Sequence, residues 1–459
     1  MEQRANFVRS DMTRGSIGRH LVYLTIPMFL GMSSMIFAWM VETIYISILG
    51  PRELAAVSFT FPLVMGLSGI AMGIGTGASS VIARKMGTGD RDAAEIISTH
   101  SLVLTFLIVM CLVFGAYLFL EEFFLLIGAQ PEILPLVIEY MQVFLISVPL
   151  FGIPMVASTI LRAVGNAKIP GYAMAGSSLL TIVIGPIMIF GLLGFPRLGL
   201  VGSAWGGVIS GSVRLLVIFY VLIAQENLIR FSNPRWHDMI QSWKSVLYIG
   251  LPSMLSSLIG PTSLGIIIWL LAAYGSEVVA GFGVASRIDM LATMLLMSLS
   301  SSVAPFVGQN WGARKIDRIR RGLNISYRFS LFWGVICFLV LGPFGDDIIL
   351  LINGDAMVVE SAAMYLLIVP ISYGFMGMGM MSGSCLVALG KPMPNLIMSI
   401  MRMAVVYIPL AMLGDYFWGY PGIFIATALA NLIMGLVAWR WSKAILRSEI
   451  SKLRTTTES

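Results

Sequence analysis

IARKMGTGDRDAA at residues 82–94 and PFVGQNWGARKID at 305–317 are two versions of one connection, with Gly87 matching Gly312 and Asp92 matching Asp317 at a displacement of 225. The register extends backwards without a gap. Gly50 matches Gly275 and Ala55 matches Ala280, while Tyr23, Pro27 and Leu30 match Tyr248, Pro252 and Leu255. It is recovered downstream, after a local slip, at Leu161/Leu386, Ala163/Ala388 and Gly165/Gly390. A repeat this long means that one structural unit has been duplicated.

The 459 residues are 58% hydrophobic and 11% charged, against about 25% charged in ordinary soluble domains, so the unit belongs to a polytopic membrane protein. At about 20 apolar residues per span, twelve helices are predicted near 20–49, 54–83, 93–120, 132–161, 168–191, 199–223, 245–272, 277–307, 318–341, 355–385, 394–413 and 420–441. The expected fold is an all-α integral membrane protein with twelve transmembrane helices in two pseudo-symmetric six-helix lobes. The lobes are placed at 1–224 and 245–459, the second ending in a cytoplasmic tail. A cytoplasmic polar linker, 225–244, contains Asn233, Pro234 and Arg235. Its WHDMIQSWKSVLYIG portion is a candidate for the start of an interfacial helix. Six helices is an even number, so the lobes share one topology and relate by an axis along the membrane normal. The first apolar segment runs on without a small-residue cleavage site and reads as a retained helix.

Of the 29 Lys and Arg, only Arg52 and Arg197 fall in one set of alternate loops. Arg214, Arg287, Arg328 and Arg402 lie within spans, and all the others fall on the side of the termini. By the positive-inside rule both termini are cytoplasmic, in the plasma membrane, or the inner membrane of a Gram-negative cell. The net charge of +6 therefore reports orientation and no nucleic-acid partner. Cys111, Cys337 and Cys385 show no metal-ligand or disulfide spacing, so neither a metal nor a cofactor is expected. His, Cys and paired Asp do not cluster at one membrane depth, which argues against an intramembrane enzyme.

Within WMVETIYISILG, residues 39–50, Glu42 sits in an otherwise apolar span. An ionised group at the centre of such a helix costs roughly 2.5–3.5 kcal/mol on insertion scales, and eight residues from Gly50 place Glu42 about 12 Å from the helix end. That is too deep for a short acid to reach the surface. Its repeat counterpart is Ile267, so the lobes are chemically unequal. Trp39 and Tyr45 lie one turn to either side of Glu42 and share its face; they could receive an organic cation or fill space. Asp289 is a second intramembrane acid, read as part of an ion pair or cavity wall, with Arg402 as a possible partner. Met376, Met378, Met380 and Met381 crowd the tenth helix, where flexible thioethers suit substrates of varied shape and equally suit packing.

The doubled words, with RAVGNAKIP at 162–170, VALGKPMP at 387–394, TIVIGPIMIFG at 181–191 and GLVGSAWGGVIS at 199–210, resemble the multidrug and toxic compound extrusion (MATE) family of cation-coupled antiporters. The likeness covers the whole chain. In that family an acid in the first helix takes part in cation coupling, and Glu42, in VET, stands where relatives carry Asp. The family's fifth-helix NxxxDP word reads here from Thr181 to Gly185-Pro186, without its Asn and Asp, and a frequent sixth-helix Thr is Gly207. The second lobe lacks deep acids in helices seven and ten, so the resemblance implies first-lobe coupling, as in the DinF-like branch. Tyr45 and Thr181 are then the neighbours expected for Glu42. The implied activity is alternating-access efflux of small amphipathic or cationic drugs, using Trp39, Met376, Met378 and Met380 as cavity wall. The coupling ion is H+ in preference to Na+, membrane lipids are the surroundings, and a monomer without obligate protein partner is expected. A lipid or lipid-linked precursor flippase of the wider superfamily is the alternative.

Overall fold

The computed structural model describes residues 11–230, 236–352 and 354–458, and among them there is no strand. Asn233, Pro234 and Arg235 lie outside the described residues. Twelve helices are long and apolar enough to cross a membrane: α1 (Ile17–Leu49), α2 (Pro51–Gly87), α3 (Arg91–Leu118), α4 (Leu134–Ala163), α5 (Lys168–Phe190), α6 (Leu200–Gln225), α7 (Trp236–Tyr274), α8 (Ser276–Gly312), α9 (Ile316–Leu341), α10 (Ala356–Ala388), α11 (Pro392–Trp418) and α12 (Tyr420–Ser451). The WHDMIQSW segment is continuous with α7, so the expected polar linker is helical from Trp236 onward.

The duplication is visible in the packing. In the first unit α2 packs on α3 and α4, α4 on α3 and α6, and α5 on α6. In the second, α8 packs on α9 and α10, α10 on α9 and α12, and α11 on α12. The backbone punctuation repeats as well. Gly50 and Gly275, Gly165 and Gly390, and Gly89 and Arg314 all take positive φ at matching places. Arg314, at φ 55°, shows that the chain keeps this left-handed turn even where the second copy has no glycine. Asp90 follows Gly89 and caps α3 by accepting from the Ala93 backbone N–H at 3.1 Å. That hydrogen bond and one from Lys85 hold the Asp90 carboxyl below the usual carboxylate range.

Two compact units emerge, and their boundaries fall inside helices. The first comprises Ile26–Met254 among the described residues, so it includes the first half of α7. A Cβ on Gly77 would stand 2.2 Å from the Val246 carbonyl oxygen, so bare glycine lets α2 and α7 backbones touch. The second unit comprises Asp11–Thr25 and Leu255–Ser459. Its PFVGQNWGARKID word grips the segment before α1. Asn310 and Arg318 both donate to the Met12 carbonyl, at 3.1 and 3.0 Å, and Lys315 donates to that of Thr13 at 2.8 Å. The Met12 side chain is fully buried. A glycine-rich word that reads as a turn is therefore also an anchor for the chain's beginning.

Candidate functional site

The contact between α5 and α6 fixes the surroundings of Glu42. After α5 the chain turns through Gly191, and the Leu198 and Gly199 N–H groups donate back to the Met188 and Ile189 carbonyls, both at 3.1 Å. α6 then starts flush against α5, since a Cβ on Gly202 would stand 2.5 Å from the Met188 carbonyl oxygen. This places Ser203 in the first turn of α6, where its hydroxyl donates to Oε1 of Glu42 on α1. Tyr140 of α4, itself buried, brings its hydroxyl to the same Ser203. Tyr140, Ser203 and Glu42 thus form a short polar chain across three helices. Glu42 is half-buried, and among the described residues it has no cationic partner within ion-pair distance.

The expected neighbours are occupied elsewhere. Thr181 donates to the Ser210 hydroxyl at 2.8 Å, and Tyr45 donates to the Ile182 carbonyl at 3.3 Å. The Tyr45 ring lies over Gly185, about where a side chain there would extend, its nearest carbon 3.7 Å from an added Cβ. So the aromatic ring covers the position at which the family word has Asp. Ser203 and Tyr140 escaped the sequence reading because each is an isolated polar residue in an apolar helix; only the four-residue offset of Ser203 from Gly207, one helical turn, hinted at a substitute hydroxyl. Trp39 stacks on Phe61 with ring centroids 6.0 Å apart and remains 45% exposed.

Asp289 has a richer setting in the second unit. The α10 helix tightens to a 3-10 turn at Val369–Ser372 around Pro370, and α11 widens to a π-helix at Met401–Tyr407. Tyr365 and Tyr373 from α10 stand beside the Asp289 carboxylate, with Arg402 from α11 close enough to act on it electrostatically. Arg402 donates to Asn431 of α12 at 2.7 Å, and Asn431 donates to Ser372 at 2.9 Å. Of the methionines assigned to a cavity wall, Met378 is packed into the second unit at 5% exposure, so it serves the core, whereas Met376 and Met380 are half-buried. Among the described residues no three His, Cys, Asp or Glu come together as a metal site.

These features define a polytopic membrane protein made of a doubled six-helix unit, carrying in a span of the first copy a carboxylate, Glu42, with no cation within ion-pair distance among the described residues. The MatE family model matches residues 27–187 and 252–413, one segment in each repeat, and the chain belongs to that family. It is 31% identical over 437 residues to a FAD transporter of Shewanella oneidensis, covering 95% of this chain and 97% of that one. It is 25% identical over 443 residues to the multidrug export protein MepA of Staphylococcus saprophyticus, covering 95% of each. The Vibrio cholerae MATE transporter VcmN, in a crystal structure of its bent form, superposes with a TM-score of 0.90 at 30% identity, covering 96% of this chain and 98% of that one. These relatives are named for transport, one of FAD and one of multiple drugs, so transport is the activity their names share and drug efflux the one that the MepA relative supports.

Proposed function

We propose that this chain is a proton-coupled antiporter that exports amphipathic organic compounds by alternating access, with Glu42 as the coupling carboxylate. The observation that carries the reading is Glu42's isolation: a carboxylate within a span, served by the Ser203 hydroxyl and by no cation among the described residues. A structural acid in an apolar span is ordinarily paired. A proton can neutralise this one without further ligands, whereas a bound alkali cation needs several oxygen atoms around it. Protonation removes the cost of the charge and the need for the Ser203 donor, giving the two states of the site different preferred partners. Coupling requires that the transported compound bind those states unequally. Both termini are cytoplasmic on this reading, in the plasma membrane, with protons entering from outside. The relatives named for FAD and for multidrug export support small-molecule transport over the flippase alternative.

The test is efflux from proteoliposomes driven by an imposed proton gradient, beside the same measurement with a Na+ gradient alone. Proton-driven efflux by the wild type and its loss in Glu42→Gln are expected. Efflux driven by Na+ alone would reverse the choice of ion.

A further inference from the structure

The first unit buries a second charge that the coupling reading does not use. Arg214, on α6, is only 7% exposed. Its guanidinium lies over the Phe151 ring of α4, 5.6 Å from the centroid, and its Nε–H is sealed from solvent without an acceptor. Arg162, half-buried at the last turn of α4, is near enough for the two cations to repel each other. Among the described residues its side-chain hydrogen bond runs to the Met28 sulfur at 3.5 Å, a weak acceptor. No carboxylate lies within ion-pair distance of either arginine among the described residues. Glu42 cannot serve, because its partner Ser203 precedes Arg214 by eleven residues on α6, about 16 Å along the axis.

An unpaired buried cation is costly, and a second cation acting on it adds to the cost. Placing two such cations in one unit, with no acid paired to either among the described residues, makes sense where an anion arrives from outside the fold. The geometry suits this: Phe151 takes up a cation–π contact with the Arg214 guanidinium and offers it no acceptor, and guanidinium N–H donors pair bidentately with phosphate or carboxylate oxygens. We infer that Arg162 and Arg214 form a binding site for the acidic group, phosphate or carboxylate, of the compound being moved. This rests on the transport reading above and narrows its substrate class. The compounds received by the first unit are amphipathic acids, an apolar body joined to an anionic group, instead of the amphipathic cations that family resemblance implies. An anionic lipid headgroup has the same chemistry and is separated by the test.

Riboflavin and riboflavin 5′-phosphate form a matched probe pair, sharing one flat aromatic body and differing by a phosphate. Their binding to the full chain in nanodiscs of zwitterionic lipid can be followed by flavin fluorescence. The phosphorylated probe should bind about tenfold more tightly, as one charge-assisted bidentate contact provides. Arg214→Gln and, independently, Arg162→Gln should bring the two affinities within about twofold, and Arg214→Lys should keep part of the preference. Equal affinities in the wild type, including binding of neither probe, would overturn the proposal. So would a preference that survives in whichever Gln variant folds. In nanodiscs containing phosphatidylglycerol the preference should persist. If it vanishes there, while that lipid raises the thermal stability of the wild type and not of the Gln variants, the site belongs to a lipid headgroup and the substrate assignment fails. The measurement needs no ion gradient, so failure of Glu42 as coupling site would leave its outcome unchanged.

Discussion

Glu42 and Asp289 are both acids within spans, and the groups around them differ enough to separate their roles by substitution. Among the described residues Glu42 has one close donor, the Ser203 hydroxyl, with Tyr140 behind it. Glu42→Gln keeps the size and can still accept from Ser203 but cannot titrate. It should reconstitute at normal yield and lose proton-driven efflux; full proton-driven transport by this variant would return Glu42 to a structural role. Asp289 stands among Tyr365, Tyr373 and Arg402, with Asn431 and Ser372 extending the network. Asp289→Asn removes the charge that faces Arg402 and should lower stability by roughly 1–3 kcal/mol, read as a fall in thermal midpoint, more than it alters coupling in the protein that survives. Normal stability with uncoupled transport would exchange the roles of the two acids. Glu42 was legible from the sequence because one carboxylate stands out in an apolar helix. Its partners were not, since a hydroxyl in an apolar helix is common and only the packing of three helices selects Ser203 and Tyr140.

At the scale of elements, the α5–α6 contact does the positioning, and two glycines of α6 five residues apart separate packing from mere proximity. Gly202 faces the α5 backbone, where an added Cβ meets the Met188 carbonyl oxygen at 2.5 Å, while a Cβ at Gly207 meets nothing within 4 Å. Backbone cannot step aside as a side chain can. Gly202→Ala should therefore push α6 from α5, lower the thermal midpoint and weaken proton-driven efflux through displacement of Ser203. Gly207→Ala should leave stability within about 0.5 kcal/mol of the wild type. Ser203→Ala isolates the hydroxyl from the packing and should slow proton-driven efflux by up to about tenfold at unchanged yield. If Gly202→Ala were as mild as Gly207→Ala, the close approach of the two helices would not be what sets the site. The sequence signalled the helices through length and apolar composition, but glycines at 202, 206 and 207 look alike in it. Only the crossing shows which of them meets backbone. The same limit applies to Met378, whose burial in the second unit no spacing rule separates from the half-exposed Met376 and Met380.

For the whole molecule the repeat was the most legible feature, because duplication preserves the residues at which the backbone must turn, and positive φ at Gly50 and Gly275 or Gly165 and Gly390 is a demand that few other residues meet. Unit boundaries were less legible. Residues 11–25 join the second unit through Asn310, Lys315 and Arg318, polar groups whose partners are backbone carbonyls and therefore leave no mark in the partner sequence. The orientation expected from the distribution of Lys and Arg can be read directly by labelling. Position 88 follows α2 and position 314 follows α8, at equivalent ends of the two copies, and both are exposed; positions 52 and 346 are also exposed, at the opposite ends of their spans. In a background with Cys111 replaced, since it is exposed, single cysteines at Thr88 and Arg314 should react with a membrane-impermeant maleimide only after the membrane is opened. Cysteines at Arg52 and Asp346 should react in intact cells. Because positions 88 and 314 are related by the repeat, they must behave alike: the reverse pattern at all four would invert the membrane orientation and send protons to Glu42 from the other face, while a split between 88 and 314 would break the parallel relation of the two copies on which the twelve-span count depends.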